Sequence, residues 1–574
     1  MMQRVGKRGL LASSAIVLVA GCAHALSVAW PFDALLAQGS SVWWLQIVAM
    51  LLLAWQLERC ITSKQALKNG AKNDVKSGAW LGWLFAIALQ CATWWWLFIS
   101  LHTYGGLASP LAVIAVVGLA AFLGLYYAAA CAAFVWLAPG HRAGRAIIFA
   151  ALWLLAELAR VALFTGFPWG EGGYAQLDGP FVDLAKLVGV HGLTFGSALT
   201  AAAIAGLLLR PRLLSLVAVA AMLVLALVAS RALRVEKGAP SVFTSSYPAA
   251  LAVSKPFTIT LLQGNIPQDE KFQGGKGIPD ALKWYGEQLN AAATALVVTP
   301  ETAIPLLPSQ LPEGSADALF KRFTQPPAGL PETAALIGIP LGNNQDGYSN
   351  SVIGIKPQVT GTSTGRGDVY RYDKHHLVPF GEFVHPLFKW YLKIVNIPLA
   401  DFNSGAVSQP SFDWQGQRLA PNICYEDLFG EELAARFVDP SLSPTIFVNI
   451  SNIAWFGNTI AIDQHLNISR MRALEFERPM VRATNTGATA IIDHRGQVTA
   501  SLPRHTRGVL TGTVEGRTGT TPYAWWASRF GLWPWWLLII AILLVAGHAR
   551  GYWGQTPISL RCVAPPPKGV PEAR

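Results

Sequence analysis

Charge is scarce in this chain. Asp, Glu, Lys and Arg together make up 13% of its 574 residues, about half of the roughly 25% found in ordinary soluble proteins. That scarcity excludes a uniformly water-exposed molecule. Acidic residues are the scarcer sign, 33 against 44 basic, which leaves a net charge of +11. A nucleic-acid binder would need those cations clustered on one folded face, so their placement decides what the excess means. Cysteine is sparse as well: six residues, widely spaced, do not make a disulfide scaffold. HExxH, CxxC, P-loop and GxGxxG patterns are missing, so neither a metal nor a nucleotide cofactor is expected.

What the chain has instead is long apolar runs. Seven lie before residue 235, at about 9–28, 41–57, 79–100, 110–138, 146–164, 190–209 and 213–233, and an eighth at 532–549. Each approaches the ~20 residues that cross a bilayer as a helix, and an open sheet could not satisfy its backbone in lipid. The expectation is a polytopic α-helical membrane protein of about eight transmembrane helices.

The cations then fall into place. Arg4, Lys7, Arg8, Arg59, Lys64, Lys68, Lys72, Lys76, Arg142, Arg145, Arg210 and Arg212 occupy alternate short segments, whereas the opposite loops carry only Lys186. Twelve against one puts the N-terminus in the cytoplasm by the positive-inside rule. Seven crossings deliver the following segment to the outer side, and the eighth returns the tail, so both termini are expected to be cytoplasmic. The basic excess is a topology signal, and a nucleic-acid partner is not expected. The divisions are a membrane domain at 1–238, an outward domain at 239–518, and a last helix with its tail at 519–574.

Tryptophan follows the same division, with twelve of 22 before residue 170 and six after 524. Groups such as Trp94-Trp95-Trp96 and Trp535-Trp536 read as interfacial belts. Val19-Ala20-Gly21-Cys22 is similar to a lipidation signal, but the run is read as a retained first helix. Glu157 and Arg160, one turn apart in the fifth run, read as a structural pair within the membrane.

Between about 240 and 515 the pattern changes to short apolar runs separated by turn residues. Strand-like runs at Phe257–Leu262, Ala295–Thr299, Ala335–Ile339, Thr445–Ile450, Ala488–Ile492 and Gly508–Val514 alternate with helix-like stretches at 278–294, 430–437 and 461–476. This order predicts an α/β domain with a buried sheet. Three runs end in a reactive residue: Glu301 after Ala295–Pro300, Lys374 after Tyr370–Asp373, and Cys424 after Arg418–Ile423.

Cys424 is the single cysteine of this domain, because Cys22, Cys60, Cys91, Cys131 and Cys562 fall in membrane spans or cytoplasmic segments. Such a thiol is either a buried bystander or a nucleophile. A strand-to-helix turn at Cys424-Tyr425-Glu426-Asp427 favours the nucleophile, since a helix start favours thiolate. Glu301 is then the candidate proton acceptor and Lys374 the candidate cation for an oxyanion. His375 and His376 would point to opposite faces of a strand, which disfavours a Cys-His arrangement.

The order VVTPETAIP, YDKHHLVPFGEFV and NICYEDLFG resembles the Glu-Lys-Cys triad of the nitrilase superfamily. Together with LLQGNIPQ, FTGFPWG, SNIAWFG and QHLNISRMRALEFERPMVRATNTGATAIID, it is similar to the superfamily's membrane branch, the apolipoprotein N-acyltransferases. The resemblance implies an inserted nitrilase-like αββα sandwich facing the periplasm from the inner membrane. It implies transfer of a fatty acyl chain from a phospholipid, through a Cys thioester, to the α-amine of a diacylglyceryl-cysteine apolipoprotein. In that scheme Glu301 is the base, Cys424 the nucleophile and Lys374 the oxyanion stabiliser. Glu382, Tyr425 and Glu426 match further functional positions. Phe380–Leu399, with Phe383, Leu387, Phe388 and Trp390, is read as an apolar covering of the cleft.

Two positions depart from the family pattern. Phe272 stands where Trp is common, and Ile453 where SNDAWFG would have Asp. Two other readings remain at this point: a membrane-anchored amidase or hydrolase with the same triad, and a transporter or receptor with a non-catalytic outer domain.

Overall fold

The computed structural model describes residues 7–61, 71–138, 142–209, 211, 213–234, 256–326, 329, 331–357, 369–384 and 401–554. Among these, seven helices are long and apolar enough to cross a membrane: Gly9–Val28, Trp43–Ile61, Asp74–Trp94, Ser109–Leu137, Arg142–Thr165, Val182–Leu209 and Leu213–Leu233. They coincide with the seven expected runs. The eighth run belongs to Trp533–Gly554; the preceding helix Pro522–Phe530 meets it at an 85° bend.

Local chemistry explains why the sixth apolar run starts near 190. Gly189 takes φ +66° inside the helix Ala185–Leu209, a conformation open to glycine at little steric cost, and a Cβ there would strike the Tyr523 ring. The N–H of Val190 beyond this break donates to Glu475 Oε1 at 2.6 Å. A side chain of the second domain thus closes a helix start of the first.

Glu157 and Arg160 do not form the expected ion pair; each instead hydrogen-bonds to the loop that follows. Glu157 Oε1 accepts from the Gly172 N–H at 3.1 Å and from the Trp153 indole at 3.3 Å. Arg160 Nη2 donates to the Pro168 carbonyl at 3.3 Å. The tryptophan expectation also needs correcting. In the 94–96 triplet only Trp95 is exposed, while Trp94 donates to the Trp169 carbonyl and Trp96 to Gln464 Oε1. Two of these three rings are packing and hydrogen-bonding groups rather than belt residues.

The segment from 256 to 514 forms two six-stranded sheets. The first has the order β12(Gly508–Val514), β1(Phe257–Gln263), β2(Leu296–Val298), β3(Ala334–Asn343), β4(Gly347–Ile355), β5(Tyr370–Asp373). The second has β11(Val498–Ser501), β10(Ala490–Ile492), β9(Met480–Thr484), β8(Ile446–Ser451), β7(Gln417–Ile423), β6(Phe412–Trp414). Strand alternation separates inner from outer faces. Leu296, Val298, Ile446, Val448 and Ile450 enter the shared core between the sheets. Val297 packs under the helix Gly277–Ala291 and Phe447 under Ala461–Phe476. The result is an αββα sandwich, and all six strand-like runs of the sequence fall in its strands.

The sandwich is seated on the helices through a third apolar cluster. Trp94, Trp96, Trp169 and Tyr174 share it with Tyr425, Leu428, Phe429 and Ile453. Around it, Gln464 Oε1 accepts from both Trp96 (3.1 Å) and Trp169 (2.8 Å), and its Nε2 donates to the Thr93 carbonyl at 3.2 Å. Ion pairs Lys186–Glu477 (2.8 Å) and Arg470–Asp178 (2.7 Å) add to the junction.

Candidate active site

Three strands deliver the reactive residues to one place. Glu301 follows β2, Lys374 follows β5, and Cys424 follows β7, so both sheets contribute. Strand ends suit this because the sheet fixes the backbone while the side chain leaves the ladder. Cys424 sits at φ +52°, a left-handed conformation that costs a non-glycine residue about 1 kcal/mol. There it ends the strand and begins the 3-10 turn Cys424–Leu428.

Lys374 is 1% exposed and is held between two carboxylates. Its Nζ lies 3.2 Å from Glu301 Oε1 and 2.9 Å from Glu382 Oε1. Asn350 Nδ2 bridges the same two oxygens at 2.7 and 2.8 Å. The second oxygen of Glu301 accepts from the Asn452 N–H at 2.8 Å, and that of Glu382 from the Val378 N–H at 2.8 Å.

Charge balance follows from this packing. Burial alone would push Glu301 up, but the ammoniums of Lys374 and Lys271 outweigh it and hold the carboxyl below its ordinary range. Burial opposes the charge of Lys374, yet Glu301 and Glu382 keep it protonated well above the usual lysine value. For Cys424, burial and the Glu301 charge push the thiol up to about 12, with Lys374 only partly offsetting them. At neutral pH the site therefore holds a carboxylate, an ammonium and an intact thiol.

Glu426 and Tyr425 follow Cys424 in the same turn. Glu426 accepts from the N–H of Ile423 (2.5 Å) and of His375 (2.6 Å), and from the Tyr372 hydroxyl (2.8 Å). It thus ties the cysteine turn to the segment carrying Lys374. Burial raises its carboxyl above the ordinary value, against the pull of these donors. The Tyr425 hydroxyl donates to the Gly166 carbonyl at 3.1 Å, and its ring stacks near Phe167. His376 Nε2 lies 2.9 Å from the Thr165 carbonyl and Nδ1 2.8 Å from Glu432 Oε1. The two histidines follow the strand rather than occupy it, and their hydrogen bonds go to the framework, His375 through Nδ1 to the Gly405 carbonyl.

Phe272 is 48% exposed on the loop after β1. Ile453 is 1% exposed within the apolar seat, so a carboxylate at this position would sit among aromatic rings. Trp390, with Leu387 and Phe388, lies outside the described residues.

Several further groups in the site are not singled out by the sequence patterns. Lys271, three residues beyond LLQGNIPQ, is 3% exposed and donates to the Glu301 main-chain oxygen at 3.0 Å; burial lowers its amine to about 8. Behind Cys424, the His465 Nε2 lies 3.2 Å from its carbonyl and 2.9 Å from Asp427 Oδ1. Asp427 also meets Arg482 (3.3 Å) and Ser469. Asparagines and a lysine without a fixed spacing to the triad offer no sequence signal except their neighbourhood to the motifs.

A triad of this kind on an αββα sandwich, borne by a bundle of apolar helices, defines a membrane-integrated carbon-nitrogen-hydrolase-type enzyme. Residues 23–203 match the profile described as apolipoprotein N-acyltransferase N-terminal domain, and residues 258–523 that described as carbon-nitrogen hydrolase. A protein of Verminephrobacter eiseniae named apolipoprotein N-acyltransferase is 54% identical over 90% of this chain and 92% of its own length. One of the same name from Bordetella bronchiseptica is 41% identical over 96% of this chain and 99% of its own. Among solved structures, an amidase of Nesterenkonia sp. AN1 aligns at 19% identity over 44% of this chain and 92% of its own, with a TM-score of 0.29. The chain belongs to the apolipoprotein N-acyltransferase family.

Proposed function

We propose that this chain moves a fatty acyl group from a membrane phospholipid to the N-terminal amine of a diacylglyceryl-cysteine lipoprotein, with Cys424 as the carrier. The single observation that carries the reading is the convergence of Cys424, Glu301 and Lys374 on a sandwich whose nucleophile turn is hydrogen-bonded to the membrane domain. Both substrates keep acyl chains in the bilayer, and extracting them would cost about 0.8 kcal/mol per CH2. A catalyst seated on spanning helices avoids that cost.

In the first half-reaction Glu301 takes the thiol proton while sulfur attacks the ester carbonyl. The S–C bond forms, and the tetrahedral oxyanion is stabilised by the Lys374 ammonium. The C–O bond then breaks, and the lysophospholipid alkoxide recovers the proton from Glu301. In the second half-reaction the lipoprotein amine attacks the thioester and Glu301 accepts its proton; the N–C bond forms, the C–S bond breaks, and the departing thiolate takes that proton from Glu301, which regenerates thiol and carboxylate. Because the resting thiol is pushed up to about 12, thiolate forms only as the attack proceeds.

The alternation of Lys and Arg between loops supports a periplasmic sandwich with both termini cytoplasmic in the inner membrane. Residues 239–518 would then constitute the periplasmic domain. The decisive experiment incubates the purified protein with acyl-labelled phospholipid and then adds a diacylglyceryl lipopeptide. A hydroxylamine-sensitive adduct on Cys424 that chases onto the peptide amine is expected. No adduct on folded protein overturns the reading, and an adduct that drains to water with the peptide present favours a hydrolase.

A further inference from the structure

Lys271 is not part of the triad, yet it is enclosed with it. It lies next to the half-exposed Phe272 but is itself 3% exposed, and its Nζ is 5.9 Å from the centroid of that ring. Its 3.0 Å hydrogen bond goes to the main-chain oxygen of Glu301. The peptide immediately after that oxygen leads into Thr302, which takes φ +48°. Among the described residues, no carboxylate lies within ion-pair distance of the Lys271 ammonium. A buried lysine with no ionic partner of its own is costly, and what faces its charge is Glu301 and Cys424.

We propose that Lys271 is a positioning residue for the acyl-transfer base: its ammonium fixes the main chain of Glu301 and holds the adjacent carboxylate ionised beside Cys424. Lys374 and Lys271 then divide two tasks. Lys374 touches the carboxylate oxygen directly and can turn to a forming oxyanion. Lys271 stays bound to the backbone and, below its own value of about 8, keeps a positive charge near Glu301. The arrangement lets Lys374 move toward the substrate while Glu301 remains a carboxylate.

The inference rests on Glu301 serving as the base, and the test separates the two. Single-turnover acylation of Cys424 by labelled phospholipid is followed from pH 4 to 9 in the full-length protein, with Lys271→Met, Lys271→Gln and Lys271→Arg beside the parent chain. The expected result is acylation at least about tenfold slower at pH 7 for Met and Gln, with the acidic limb displaced upward toward an ordinary carboxylate. Arg, which keeps the charge, retains most of the rate and the original limb. Slower acylation with an unmoved limb, or an unchanged rate, in either neutral variant overturns the inference. Gln retains a hydrogen-bond donor and decides the matter if Met does not fold. Absence of any adduct in the parent chain would instead overturn the assignment of Cys424 and Glu301.

Discussion

The hydroxyl of Tyr425 donates a 3.1 Å hydrogen bond to the main-chain carbonyl of Gly166. The residue after Cys424 is thereby joined to a loop between two apolar helices, 259 positions away in sequence. That loop is unusual in its own backbone: Phe164, Thr165 and Gly166 take φ of +55°, +70° and +83° in succession. The turn presents the Thr165 carbonyl to His376 and the Gly166 carbonyl to Tyr425.

Loosening this clasp should slow chemistry and lower stability by comparable amounts. Tyr425→Phe removes one hydrogen bond worth about 1 kcal/mol, and acylation of Cys424 is expected to fall about fivefold. Gly166→Ala should cost more, because a Cβ at this φ would meet the Val161 carbonyl. Single-turnover rates set against thermal unfolding of each variant check this. Parent-like acylation by Gly166→Ala would show that the loop does not position the site.

Glu426 accepts only from donors, so Glu426→Gln turns an NH2 group toward N–H or O–H groups. Leaving one buried donor unmatched costs about 1–3 kcal/mol. A lower unfolding temperature in detergent is expected, together with slower acylation, since the side chain joins the Cys424 turn to the Lys374 segment. An unchanged unfolding temperature would contradict the role assigned to these four contacts.

Asp427 and Arg482 are both fully buried and share one network with His465 and Ser469. Removing one charge strands the other, so Asp427→Asn should destabilise by about 3–5 kcal/mol. Replacing both, with Asp427→Asn and Arg482→Met, should cost clearly less than the sum of the single changes. Additive losses in a double-mutant cycle would mean that the pair is not coupled.

Acid should weaken the fold through particular groups. Glu301 and Asp427 have folded values below their ordinary ones, so each contributes stability above its unfolded value of about 4 and loses it as pH falls through the folded one. Glu426 is raised and works in the opposite sense. Lys374 is raised, so its contribution is complete below the unfolded lysine value and is lost only as pH rises through the folded one. Unfolding temperature should thus hold from about pH 5 to 8, below the Lys271 value, and drop below about pH 4, with a shallower acid limb in Glu301→Gln. An equally steep limb in that variant would remove Glu301 from this account.

Where the sequence was legible, short-range patterns carried the information. Val297 between Leu296 and Val298, or Phe447 between Ile446 and Val448, alternate faces within three residues, so runs of this kind announce a strand buried on both sides. Glu301, Lys374 and Cys424 stood out because each closes such a run. Strands β4, β6, β9 and β11 did not, since Gly347–Ile355 is rich in serine, asparagine and glycine and the others are short. Lys271, Asn350 and Asn452 reach Glu301 across 30, 49 and 151 positions, distances over which spacing carries no signal. Glu157 and Arg160 follow a related logic: one helical turn suggests mutual pairing, whereas the returning loop offers Glu157 the Gly172 N–H and Arg160 the Pro168 carbonyl.

Gln464 accepts from two indoles and donates to a third helix-end carbonyl, so the sandwich cannot slide along the helix axes without breaking several bonds at once. This fixes the elevation of Cys424 relative to the bundle. If Cys424 carries the acyl group as proposed, one fixed elevation would favour lipids whose ester carbonyl lies at that depth, and the seat would act as a ruler along the bundle.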